Sequence, residues 1–142
     1  MIGVTIDIIP HADQRYDTVG DWLFKKLYSS EYLTITVSDM NNPDYEFLVG
    51  IHELIEAYLC QKRGIKEEDV TAFDIAYEKR RNDLISKAWT QEGRDVLIKS
   101  EPGQWADAPY HKEHMFATKI EKLVADELGV DWEKYDKTIL EL

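Results

Sequence analysis

A chain of 142 residues with 44% hydrophobic content suits one compact domain, residues 1–142, with a real core. Its 28 acidic and 17 basic residues leave a net charge of −11, which argues against nucleic acid as the main ligand, because phosphate contacts need clustered Lys and Arg. No apolar run approaches the roughly eighteen residues of a membrane span, so no membrane association is expected. In chain order, MIGVTIDIIPHADQ has neither a basic region nor a cleavage pattern, and no signal peptide is expected. Within it, Val4-Thr5-Ile6-Asp7-Ile8 alternates apolar and polar residues as a half-buried strand does, and Pro10 ends it. Residues 11–20 read as a loop, with His11 a turn residue rather than a ligand. Residues 21–28, from Asp21 through Tyr28, read as a short helix. Leu33-Thr34-Ile35-Thr36-Val37 is alternating and rich in β-branched residues, hence a second strand.

The best-defined element follows. Asn42 is a good N-cap, Pro43 suits the first helical position, and Gly64 closes the segment as a left-handed cap. Lys62 and Arg63 favour the dipole in the last turn, so a helix is predicted over 43–63. Cys60, the single cysteine, falls inside it and reads as an inert, partly buried thiol. With no internal disulfide available, a reducing cytoplasm is the expected compartment. Lys66-Glu67-Glu68-Asp69 opens a further helix to about Arg81, and residues 82–100 continue in part as helix. Residues 100–109 are loop, a long helix runs from about Pro109 to Leu128 with Gly129 as its cap, and the tail forms one more short helix. Two or three N-terminal strands in a small antiparallel or mixed sheet, followed by helices, make an α+β fold.

On the 43–63 helix, His52-Glu53-Leu54-Ile55-Glu56 carries the first half of H-E-x-x-H, with a glutamate in place of the second histidine. At about 100° per residue, Phe47, Leu48, Ile51, Leu54, Ile55, Tyr58 and Leu59 fill an apolar arc, with His52 and Glu56 together at its edge. Four residues apart, they project from one face, as the metal ligands of H-E-x-x-H do, while Glu53 lies toward the polar side. The last helix offers a third ligand in Tyr110-His111-Lys112-Glu113-His114. There Phe116, Ala117, Ile120, Leu123 and Val124 form the apolar arc, His114 lies at its edge near the bearing of Glu121, and His111 lies outside. If the two faces pack together, His52, Glu56 and His114 converge on a divalent ion, most simply zinc, with His111 in reserve and Glu121 holding the far nitrogen of a ligand histidine. Such a set leaves a fourth position for water, whose pKa the ion lowers to about 7, and Glu53 is the candidate general base. Asp74 reads as a hydrogen-bonding acid, and Trp105 and Trp132 as packing residues. The bland alternative for the H-E-x-x-E segment is a pair of solvated helix charges.

The blocks YEFLVGIHELIEAYLC and PYHKEHMFATKIEKLVADELGVDW, with QRYDTVGDW and LTITVSD upstream, resemble a family of small uncharacterised proteins encoded in phage and prophage genomes. That resemblance implies the cytoplasm of a host cell and no particular activity. At fold level, the strand LTITVSD before an H-E-x-x helix is similar to the zincin metalloproteases, in which an edge strand pairs with an extended substrate above the metal helix. Glu56 departs from the zincin pattern. Together these features predict a single zincin-like domain acting as a zinc-dependent, peptidase-like hydrolase on an extended peptide or host protein. Two alternatives are a non-catalytic phage accessory protein with a structural metal, and an acidic interaction or nucleic-acid-mimic protein without metal.

Overall fold

The computed structural model describes residues 2–142. Three strands, β1 (Ile2–Ile9), β2 (Gly20–Leu27) and β3 (Ser30–Ser38), precede five helices: α1 (Pro43–Lys62), α2 (Glu67–Lys87), α3 (Gln91–Ile98), α4 (His111–Leu128) and α5 (Trp132–Leu140). Short 3-10 turns span His11–Asp13 and Pro102–Gln104. The fold is α+β, with a mixed sheet in the order β1-β3-β2. β3 lies in the centre, parallel to β1 and antiparallel to β2. The segment LTITVSD therefore has both hydrogen-bonding edges occupied and is not the edge strand that its resemblance to the zincins implies.

The expected helix over 21–28 is strand β2. Its register pairs Leu27 with Ser30, so only Tyr28 and Ser29 turn the chain. Tyr28 takes a left-handed conformation with φ 57°, which a side chain other than Gly or Asn seldom signals in advance. Pairing then decides the matter. Trp22 lies opposite Ile35 and Phe24 opposite Leu33, so both aromatics face the same side as the β3 core residues. Leu33, Ile35 and Val37 are all but sealed on that side, over which α1 packs.

α1 begins and ends as its sequence requires. Asn42 Oδ1 accepts from the N–H groups of Asp44 and Tyr45 at 3.1 and 3.3 Å. Gly64, at φ 71°, lets the Ile65 N–H reach the Cys60 carbonyl at 2.9 Å and close the last turn. α4 ends in the same way at Gly129. It starts at His111, two residues later than Pro109, with Tyr110 at its N-cap. α2 runs on six residues past Arg81, and α3 fills most of the remaining stretch. One hydrophobic cluster takes residues from β2, β3, α1, α2, α4 and α5. Among the described residues no helix is long and apolar enough to cross a membrane.

The expected faces of α1 and α4 are rotated. Phe47 and Tyr58 are 53% and 45% exposed, while the buried stripe of α1 holds Leu48, Val49, His52, Glu56, Ala57 and Cys60. On α4 Phe116 and Leu123 are exposed, and the buried stripe is Glu113, His114, Ala117, Glu121 and Ala125. Each helix turns its chemistry-bearing residues inward, not to the margin of an apolar face.

Candidate metal centre

α1 and α4 pack directly against each other, and their buried stripes meet. His52, Glu56 and His114 are 7%, 4% and 8% exposed, and one donor atom of each converges on a common point. His52 Nε2 lies 3.1 Å from His114 Nδ1 and 3.3 Å from Glu56 Oε2, and the third edge of this triangle, His114 Nδ1 to Glu56 Oε2, is 3.0 Å. Among the described residues no fourth Asp, Glu, His or Cys joins the group.

Each corner is held from behind. His52 Nδ1–H donates to Glu121 Oε2 at 2.8 Å, which turns Nε2 toward the triangle. Glu121 in turn accepts a short hydrogen bond from the Tyr135 hydroxyl of α5. Trp22 of β2 donates its indole N–H to Glu56 Oε1 at 3.0 Å and leaves Oε2 for the triangle. Glu101, in the loop before α4, places Oε2 3.3 Å from His114 Nε2, a charge contact that is not aligned as a hydrogen bond. The role expected of Glu121 is therefore geometrically in place. Glu101, Trp22 and Tyr135 carry no such signal in the sequence, since each reaches the site from a remote element.

Electrostatics follow this packing. Burial alone would push the His52 imidazole down, but hydrogen bonds to Glu121 and Glu56 outweigh it and hold the pKa well above the usual value. For His114 burial is likewise outweighed, by Glu101 and Glu56, and its pKa is pushed up to about 9. Burial would raise Glu56, yet the two imidazoles bring it down to about 2. Glu53 goes the other way. Burial, and then the neighbouring Glu56 charge, lift its carboxyl well above the usual range. It faces inward rather than to the polar side, and lies against Gly20: a Cβ there would fall 2.5 Å from Glu53 Oε1. Asp74 is pushed up to about 7, chiefly by burial, and accepts from the hydroxyls of Tyr110 and Tyr16. It acts as the hydrogen-bonding acid expected of it. Cys60 is fully buried, and burial raises its thiol, which fits an inert group.

The remaining histidines stay outside the triangle. His11 pairs with Ser38 Oγ at 2.9 Å and with Asp17 at 3.3 Å. His111 Nδ1–H donates to the Gly103 carbonyl at 2.9 Å and so pins the loop that covers His114. Gly103 sits against that imidazole, and a Cβ there would stand 2.3 Å from His114 Cγ. Gly103→Ala is therefore expected to destabilise the protein by about 1–3 kcal/mol, as overpacked sites do, and to displace His114. Thermal melting of the variant checks the first effect, and an unchanged melting temperature would show that the loop can simply move away.

Beside the triangle opens a cavity of about 430 Å³, lined by Glu53, Trp22, Asp74 and Tyr110 among others. Comparison of the chain with protein-family models, curated proteins and solved structures finds no match, so its functional reading rests on this geometry.

Proposed function

We propose that the protein binds one divalent transition metal, with zinc the expected ion, through His52 Nε2, His114 Nδ1 and Glu56 Oε2, and that it is a metal-dependent hydrolase of peptidase type. The observation that carries this proposal is the size of the triangle. Four ligands at about 2.0–2.1 Å in a tetrahedron set neighbouring donor atoms about 3.3 Å apart. The three edges here are 3.0, 3.1 and 3.3 Å. Two imidazoles and one carboxylate also suit a borderline-soft ion better than calcium or magnesium. When bound, such an ion supplies Lewis acidity and lowers the pKa of water.

The chain's own groups divide the remaining work. Glu121 and Glu101 keep the two imidazoles turned, and Trp22 keeps one oxygen of Glu56 facing inward. Glu53 lines the cavity with its carboxyl pKa raised by burial and by the Glu56 charge, and it is the carboxyl outside the triangle placed to exchange a proton there. With three protein donors among the described residues and an adjoining cavity, the arrangement favours an open, catalytic site over a closed structural one.

Elemental analysis of protein purified without added metal is the direct test. About one equivalent of zinc or a similar ion is expected. Less than about a tenth of an equivalent, with no uptake on titration, would falsify the metal reading. X-ray absorption on loaded protein separates the alternatives: four protein ligands would convert the proposal to a structural metal that ties α1 to α4.

A further inference from the structure

The cavity beside the triangle has a strongly one-sided lining. Among the described residues nine side-chain carboxyl groups face it against a single arginine, Arg81, and no lysine. Most of these acids already have partners. Arg15 holds Asp21 and Glu67, Arg81 holds Glu78, and the tyrosines Tyr16 and Tyr110 hold Asp74. Glu53 makes no hydrogen bond or ion pair among the described residues, and Asp17 has only His11 beside a largely exposed side chain. His114, 8% exposed, also lines the cavity, and its Nε2 has no aligned hydrogen bond, only the charge contact with Glu101 Oε2 at 3.3 Å.

The cavity is also long. Its α2 wall is one continuous face with residues at 67, 70, 71, 74, 78, 81, 82 and 85. At about 1.5 Å rise per residue, Glu67 to Ile85 spans roughly 27 Å. An extended chain at about 3.3 Å per residue covers that distance in about eight residues. We propose that this cleft takes an extended peptide segment carrying Lys or Arg, whose cationic side chains face the carboxylates. The inference rests on the proposed hydrolase reading and names its substrate class. A cleft lined by one sign of charge concentrates ligands of the opposite sign and rejects acidic ones.

The test uses the intact protein, once with one equivalent of zinc and once after chelation. Three octapeptides with a neutral fluorophore alternate Ala with Lys, Gln or Glu, and binding is read by anisotropy. The Lys peptide is expected to bind at least about tenfold more tightly than the Gln peptide, and the Glu peptide most weakly. Asp17→Asn with Glu78→Gln should weaken that preference measurably. A control pair, Asp126→Asn with Glu127→Gln at the exposed end of α4, changes net charge equally and should leave the preference in place. Equal loss in both pairs would reduce the effect to overall charge and overturn the proposal. So would equal binding of the three peptides, or no binding of any. Spermidine displacing the Lys peptide at equal concentration would show recognition of bare amines and overturn the extended-peptide class. A Lys preference in protein that takes up no zinc would sink the metal reading alone. Zinc uptake without the preference would sink this proposal alone.

Discussion

Replacing His114 with alanine is expected to cut zinc affinity by more than about a hundredfold, beyond the cost of losing an outer carboxylate. His11→Ala should leave affinity unchanged. The contrast follows from position. His114 Nδ1 forms two of the three edges of the donor triangle, at 3.1 and 3.0 Å, while His11 is engaged by Ser38 and Asp17. Competition with a chromophoric chelator ranks the two variants. His114→Ala also leaves space beneath Gly103, so circular dichroism and thermal melting must accompany the titration. A folded His114→Ala protein with the parent's affinity would remove α4 from the site.

Glu53→Gln and Glu56→Gln should fail in different ways. Glu56 is gripped by Trp22 through one oxygen and offers the other to the triangle. A neutral amide is a poor zinc ligand, so Glu56→Gln should lose the metal. Glu53 has no part in the triangle and lines the cavity. Glu53→Gln should therefore keep metal and fold but lose turnover by about a hundredfold or more, the usual worth of a general base. Glutamine has nearly the shape of glutamate, so the exchange disturbs the folded state little. A fluorogenic peptide screen with the parent protein supplies the assay. Turnover by Glu53→Gln at the parent rate would end the general-base assignment.

Much of the fold is legible in the sequence wherever local chemistry decides it. Asn42-Pro43 and Gly64 bracket α1 because capping groups act within a turn of themselves. The alternation in Val4–Ile8 and Leu33–Val37 marks β1 and β3. β2 escapes because its turn uses Tyr28-Ser29 and its strand character comes from pairing with β3. The i,i+4 relation of His52 to Glu56 is a property of any helix and survives intact. Which way that face points is not local. An apolar arc suggests the core, yet here Phe47, Tyr58, Phe116 and Leu123 are exposed and the polar stripes of two helices satisfy each other. The loop residue Glu101 and the strand residue Trp22 become visible only once the chain has closed on itself.

The hydrogen bond from Trp22 to Glu56 also gives the molecule an optical reporter. Trp22 is buried, whereas Trp89 is fully open to solvent and Trp105 half so. Its indole is therefore shielded from bulk solvent, and its excited state should feel the charge on the carboxylate it touches. Drawing electron density from Glu56 toward a cation changes that field directly. With Trp89 and Trp105 replaced by phenylalanine, the emission that remains comes from Trp22 and Trp132. A shift on adding zinc, absent in Trp22→Phe, would make occupancy of the centre readable by fluorescence without a label.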